Sequence, residues 1–283
     1  MIQKNLLAIH DISCVGRCSL TVALPILSAT GLHTSVLPTA VLSTHTGGFQ
    51  GFTYRDLTED IPKIADHWRS FGVKFDGMYS GFLGSYEQID QVAALYQEFK
   101  QEKGLIIVDP VMADHGALYS VFTPKMVEGM ARLCQSADLI LPNLTEGALL
   151  LKQEYVGEGY DWNYIEKMVR DLSELGPKKV VLTGVSFHQD RLGAMCFDRE
   201  TNQVDYVENR SVEGHFPGTG DVFASALVSG LMNSFTLQES AQIAVDFTLN
   251  SIEKAMKIGL ERRFGVAFEP AIPDLIKQLK LGG

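Results

Sequence analysis

The sequence predicts an α/β fold: a mostly parallel central sheet covered by helices on both faces, with a small antiparallel edge. Three observations carry this. Short apolar, β-rich runs alternate with helical patterns almost from end to end, which is how successive βαβ units read. Glycine stands just past each of the early helical segments, where it stops a helix. After residue 184 the alternation gives way to two adjacent strand-like runs and then two long helical patterns.

The expected strands are 5–9 (NLLAI), 35–42 (SVLPTAVL), 75–80 (FDGMYS), 105–109 (LIIVD), 138–142 (DLILP) and 179–184 (KVVLTG). Between them, helices are expected over 18–30, 57–71 and 86–103, closed by Gly31, Gly72 and Gly104. Ser85 and Gln88 form a capping-box pattern for the third, and Thr123-Pro124 reads as an N-cap and first helical position for another. RLGAMCFD (191–198) and QVDYVE (203–208) read as an antiparallel pair. Helices over 221–232 and 237–256 follow, the second opened by a Thr236–Glu239 capping box. No repeat, low-complexity stretch or composition break interrupts the chain, so a single domain over 1–283 is expected.

Hydrophobic residues make up 46% and charged residues 20% of the 283, proportions of a globular chain that buries its core without staples. A net charge of −10 speaks against a nucleic-acid binder, which needs a basic excess. It does not exclude a nucleotide site built from backbone N–H groups and a metal ion. The apolar stretch in MIQKNLLAIH is too short for a signal peptide, and no apolar run reaches membrane-span length. Four scattered cysteines fit a reducing compartment. A cytoplasmic protein without a membrane or nucleic-acid partner is the expectation.

Polar residues gather where the strands end. The first ends in His10-Asp11, the second in Ser43-Thr44-His45-Thr46, and the third in Ser80-Gly81-Phe82. The fourth ends in Asp109-Pro110, the fifth in Pro142-Asn143 with Glu146 a turn later, and the sixth in Thr183-Gly184. In an open parallel sheet these ends share one rim, and ligands bind outside it. Asn143 and Thr183, taken singly, read as an ordinary cap or turn; six polar ends in a row point to a site.

The sharpest motif is Phe216-Pro217-Gly218-Thr219-Gly220-Asp221, leading into an apolar helix. Its glycines let backbone N–H groups converge at a helix start with the positive end of the dipole behind them. That is an anion hole for a phosphoryl group in transfer, with Asp221 placed to take a proton from an attacking hydroxyl. A plain N-cap after a glycine turn is the competing reading. Neither a Walker loop nor a dinucleotide fingerprint fits these residues.

Gly218-Thr219-Gly220-Asp221 followed by VFASA resembles the signature of the ribokinase-like superfamily, and the resemblance spans nearly the whole chain. Within it, Ser43-Thr44-His45-Thr46, the SGFLGS turn at 80–85, the DPVM segment at 109–112 and the PNLTE segment at 142–146 are similar to segments of pyridoxal kinases. That resemblance implies a three-layer ribokinase-like sandwich and ATP-dependent phosphorylation of the 5′-hydroxymethyl group of a B6 vitamer. It implies Asp221 as base and Gly218, Thr219 and Gly220 as anion hole. Asp109, Asp114 and Glu146 would organise Mg2+, with Asn143 and Thr183 near the ATP phosphates. Asp11, Thr46 and Phe82 would line the pyridine site, with His45 close by. A monovalent cation such as K+ and a homodimer belong to the same expectation.

Two features depart from the pattern. Asp11 stands where many pyridoxal kinases carry Ser, and an Asp at that place is similar to hydroxymethylpyrimidine kinases; no tyrosine follows Thr46 in THTGGFQGF. Hydroxymethylpyrimidine kinase is therefore the second expectation, and a non-catalytic vitamer or nucleotide sensor the alternative from another class. An intact Asp221 opposes the sensor. Cys14 and Cys18 lack the partners of a zinc site, and Glu154, Glu158 and Asp161 read as a solvated acidic loop.

Overall fold

In the computed structural model, which describes residues 3–281, the chain runs β1 (Asn5–Ser13), α1 (Leu20–Ala29), β2 (His33–Leu42), β3 (Tyr54–Asp56), α2 (Ile61–Ser70), β4 (Phe75–Ser80), α3 (Tyr86–Phe99) and β5 (Lys100–Val108). A small hairpin of β6 (Ala113–Asp114) and β7 (Ala117–Leu118) precedes α4 (Pro124–Gln135), β8 (Leu139–Ile140), α5 (Leu144–Leu151) and α6 (Trp162–Glu174). Then come β9 (Lys179–Val185), β10 (Arg191–Asp198), β11 (Gln203–Arg210), α7 (Thr219–Met232), α8 (Leu237–Lys257) and α9 (Ile272–Gln278).

Nine strands form one sheet in the order β11-β10-β9-β8-β5-β4-β1-β2-β3. Strands β9, β8, β5, β4, β1 and β2 run parallel, and β10–β11 add the expected antiparallel edge. Residues Leu6 to Ile9 of β1 are fully buried, as a strand covered on both faces must be. Their side chains alternate between layers. Leu6 and Ala8 join α1, α7 and α8 on one face, while Leu7 and Ile9 join α2, α3, α4 and α6 on the other.

The structure departs from the sequence expectation in several places. Helix α3 stops at Phe99, and the chain passes straight into β5. Gly104 is therefore no helix stop: a Cβ there would lie 2.9 Å from the Phe75 carbonyl oxygen, so it serves a close approach of two strands. Helix α6 was not foreseen, and Asp161 caps it by accepting from Tyr164 N at 2.8 Å; it is not part of a merely solvated loop. Strand β3 gives the opposite sheet edge a short antiparallel member. At α3 the Ser85 hydroxyl accepts from Gln88 N, but Gln88 Oε1 accepts from Gly84 N instead of completing the box.

Candidate active site

The rim opens where the strand order reverses. The chain leaves β1 for β2 on one side and returns to β4 on the other, so a crevice lies beyond the carboxyl ends of β1 and β4. The β1–β2 register slips between His10 and Ile12, opposite Pro38 to Val41. Pro38 offers no N–H to the ladder, and an irregularity of this kind re-aims a neighbouring side chain. Asp11 sits at that point, only 4% exposed. Burial raises its carboxyl above the ordinary value, with the Ser19 and Ser13 hydroxyls opposing. Ser13 Oγ donates to Asp11 Oδ2 at 3.3 Å.

The anion cradle is built by Gly218. Its backbone is left-handed at φ 78°, and a Cβ there would lie 2.0 Å from the Arg17 carbonyl oxygen. Only glycine allows that conformation and that approach together. The Thr219 hydroxyl turns back to the Phe216 carbonyl at 2.9 Å, and Val222 N donates to Gly218 O at 3.0 Å. The N–H groups of Gly220 and Asp221 have no acceptor among the described residues, as expected of a first helical turn. A Cβ on Gly220 would meet nothing within 4 Å, so the cradle faces open space.

Asp221 hangs in this turn, half-buried, and its Oδ2 accepts from Ser19 N at 2.8 Å. Desolvation pushes its carboxyl up to about 7, against the Ser19 hydrogen bond and with help from the charge of Asp11. A carboxylate poised there is matched to proton abstraction near neutral pH. Ser19 is the supporting residue that sequence reasoning missed. It lay inside the expected helix 18–30, yet it precedes α1 with φ 55° and ψ −131° and bridges back to Ile12. That turn brings its N–H to Asp221.

The acidic wall lies along β5 and α5. Asp109 is buried and no hydrogen bond offsets its desolvation; Glu146 and Asp221 add like charge, and its carboxyl stands well above the usual range. Glu146 accepts from Met112 N at 3.0 Å and Asn143 N at 2.9 Å, yet burial still pushes it up to about 8. Asn143 is a full N-cap: its Oδ1 accepts from Glu146 N, and its Nδ2 donates to Ala113 O at 2.8 Å. Thr183 pairs with Asn143 across a single parallel bridge. Asp114 stands on the β6–β7 hairpin, half-buried, close enough for its charge to raise Glu146. Tyr119, also missed from the sequence, has a phenol raised by burial and then by Glu146, Asp114, Asp109 and Asp221.

His45 fixes the loop after β2. Its Nδ1 accepts from Gly47 N at 3.1 Å, so Nε2 carries the proton it shares with the Arg263 carbonyl at 2.7 Å. Both nitrogens are occupied, and burial lowers its basicity. Thr46 beside it is exposed, and Gly47 approaches Pro217 of the anion loop. Phe82 is half-buried, its ring 6.0 Å from Phe122. Tyr54 of β3 brings its hydroxyl over Gly84, where an added Cβ would lie 2.2 Å from it. Burial, then the charges of Asp56 and Asp11, raise its phenol to about 12.

The phosphomethylpyrimidine kinase family profile matches residues 24–265. A Bacteroides thetaiotaomicron protein, provisionally assigned as a phosphomethylpyrimidine kinase and crystallised with pyridoxal, is 38% identical with a TM-score of 0.91, covering 96% of both chains. Pyridoxal kinase from Lactobacillus plantarum is 31% identical with a TM-score of 0.89, covering 99% of both chains. Pyridoxal kinase PdxY of Histophilus somni is 26% identical over 270 residues, 90% of this chain and 89% of that one. The fold is thus ribokinase-like, and the chain belongs to the phosphomethylpyrimidine kinase family, as a pyridoxal kinase-like phosphotransferase that acts on an alcohol group.

Proposed function

We propose that this enzyme transfers the γ-phosphoryl group of ATP to the 5′-hydroxymethyl group of a B6 vitamer: pyridoxal, pyridoxamine or pyridoxine. The observation that carries the reading is the Asp221 carboxyl, raised to about 7 beside a helix start whose first N–H groups face open space. The vitamer rests on the pyridoxal named for the Bacteroides relative and on the Lactobacillus and Histophilus pyridoxal kinases. In the reaction the hydroxyl oxygen forms a bond to the γ-phosphorus, the bond from that phosphorus to the bridging oxygen breaks, and ADP leaves. The hydroxyl proton passes to Asp221. Gly218 to Gly220 hold the charge of the phosphoryl oxygens in flight. Asp11, Thr46, Phe82 and Tyr54 orient the ring.

The acidic wall fits magnesium. Asp109 is a buried carboxyl without a side-chain hydrogen bond among the described residues, crowded by Glu146 and Asp221, and hard oxygen donors beside phosphate suit this ion. Bound there, magnesium supplies charge neutralisation of the phosphates. Asp109 would hold it, with Asp114 reaching from the hairpin. Glu146, already braced by backbone N–H groups, would act mainly through water, and Asn143 and Thr183 would shape the phosphate side. Glu146→Gln should raise the magnesium concentration for half-maximal rate. Asp161→Asn should leave it unchanged, because Asn caps α6 equally well. A magnesium titration checks both; identical curves would remove Glu146 from the metal network.

One observation favours a second reading. Asp11 is a buried carboxyl where many vitamer kinases have Ser, which suits an aminopyrimidine alcohol such as hydroxymethylpyrimidine as well as pyridoxamine. An anion there stabilises a nearby positive charge or accepts from an amino group. Asp11→Ser should lower turnover with the two amine-bearing substrates and retain it with pyridoxal. An equal fall for all, or none, would make Asp11 a turn cap. ATP turnover against pyridoxal, pyridoxamine, pyridoxine and hydroxymethylpyrimidine tests the whole proposal. No product with any vitamer would overturn it.

A further inference from the structure

Two histidines that the phosphoryl-transfer machinery does not use join its Asp114 at the edge of the site, in chemistry that magnesium does not select. Asp114 and His115 stand at the tip of the β6–β7 hairpin, and His215 stands on the loop that leads into Gly218. One donor atom from each lies within 4.8 Å of the others, and the two imidazole rings are 6.4 Å apart. Both segments are anchored behind these side chains. On the hairpin, Gly116 N donates to Thr145 Oγ1 at 2.9 Å and Tyr119 N to Met112 O at 3.0 Å. On the loop, a Cβ on Gly214 would lie 2.0 Å from Arg262 Nη1, and the Arg262 guanidinium covers the Phe216 ring at 4.8 Å.

We propose that Asp114, His115 and His215 form a site for a divalent transition metal, Zn2+ or Co2+, that pins the hairpin to the loop before the anion cradle. Two imidazoles and one carboxylate select such ions over magnesium. Three protein ligands leave a fourth position for water. Metal–nitrogen bonds of about 2.0–2.1 Å put tetrahedral ligand atoms roughly 3.3 Å apart; His115 Nε2 and Asp114 Oδ2 are already at 3.6 Å, and His215 must draw in by at most about 1.5 Å. His115 and His215 are both exposed and free to turn by rotamer changes. A site that links two separately anchored segments restrains the hairpin, and it does so through Asp114, whose carboxylate also faces the acidic wall.

The test uses the full-length protein, stripped of metal and free of nucleotide, titrated with Co2+ and followed by visible absorption, with Zn2+ then added as competitor. One equivalent should give the intense d–d bands of a low-coordinate cobalt site, and zinc should abolish them. His215→Ala and His115→Ala should each weaken binding ~10-fold or more, since lesser changes around a metal ligand already cost that much. Asp109→Asn, and His188→Ala at an exposed position between β9 and β10, should bind as the parent does. Hydrogen exchange over 112–119 should slow with the metal in the parent and not in His215→Ala. Cobalt binding unaltered by His215→Ala, or lost equally in Asp109→Asn, would overturn the site. So would a spectrum that never departs from that of cobalt in buffer. Because every readout is taken without ATP or vitamer, a negative outcome leaves the kinase reading untouched, and failure of that reading leaves this test intact.

Discussion

Asp221→Asn should lower turnover by about two to four orders of magnitude, the usual contribution of a positioned acid–base group, with nucleotide and vitamer binding nearly unchanged. Asn keeps the size of the side chain and still presents an oxygen to Ser19 N, so the strained turn at Ser19 and the start of α7 should survive. The parent should also show an acid limb. A base must be ionised, and burial has raised this carboxyl to about 7, so turnover should rise with pH through that value. The variant's residual rate should lack this limb. The sign for stability is the reverse. The folded state holds the Asp221 proton more tightly than the unfolded chain, whose ordinary value is 3.8. Its stabilising contribution is full below 3.8 and is lost as pH rises to about 7. Asp221→Asn removes that penalty, so at pH 8 it should melt no lower than the parent. Stopped-flow or coupled-assay rates with parallel thermal melts check both halves. Wild-type turnover in the variant would remove Asp221 as base.

Much of this site was legible because its residues sit where strands end. Strand ends are fixed by apolar runs, and those runs are unambiguous when both faces are buried, as in 5–9 and 179–184. The glycine turn before α7 was legible for a related reason: few residues besides glycine tolerate what position 218 requires. What stayed hidden depends on contacts between segments distant in sequence. Ser19 matters through a bond to a residue 202 positions away, and nothing local distinguishes it from another helix residue. Tyr54 and Tyr119 are ordinary aromatics until the fold brings carboxylates to them. The failure at 100–104 is different. QEKG continues the polar pattern of a helix face, and only the partner strand's carbonyl at Phe75 explains Gly104. Helix α6, by contrast, was available. Ile165, Met168, Val169 and Leu172 recur at helical spacing behind Asp161, and the acidic residues before it drew attention away from that stripe. Asn143 is the cap that its position, taken singly, suggested, in a capping box with Glu146.

Gly218→Ala should abolish most activity without replacing any catalytic side chain. The added methyl faces two obstacles at once. At φ 78° an L-residue is strained, and the Cβ would stand 2.0 Å from the Arg17 carbonyl oxygen and 3.4 Å from Cys18 Sγ. The nearest obstacle is backbone, and Arg17 cannot easily retreat. Its N–H donates to Phe264 O at 3.1 Å, its guanidinium pairs with Glu269 at 2.7 Å, and Gly265 packs against its Cα. The turn before α7 must therefore yield, and the N–H groups that should meet the transferring phosphoryl move with it. Loss of one donor in such a hole costs about 10²–10³ in rate, and displacement of several should cost at least as much. Backbone strain of this kind costs roughly 1–3 kcal/mol, so the variant should also melt lower. Gly220→Ala separates the two effects. No atom lies within 4 Å of the added Cβ, and alanine favours a helix over glycine by about 1 kcal/mol, so this protein should melt no lower than the parent. Its methyl nevertheless projects into the space assigned to the phosphates, and KM for ATP should rise. Thermal melts with ATP-dependent rates decide the matter: Gly218→Ala at parental turnover would mean that the cradle does not hold the transferring group, and Gly220→Ala with unchanged KM would place the phosphates elsewhere on the rim.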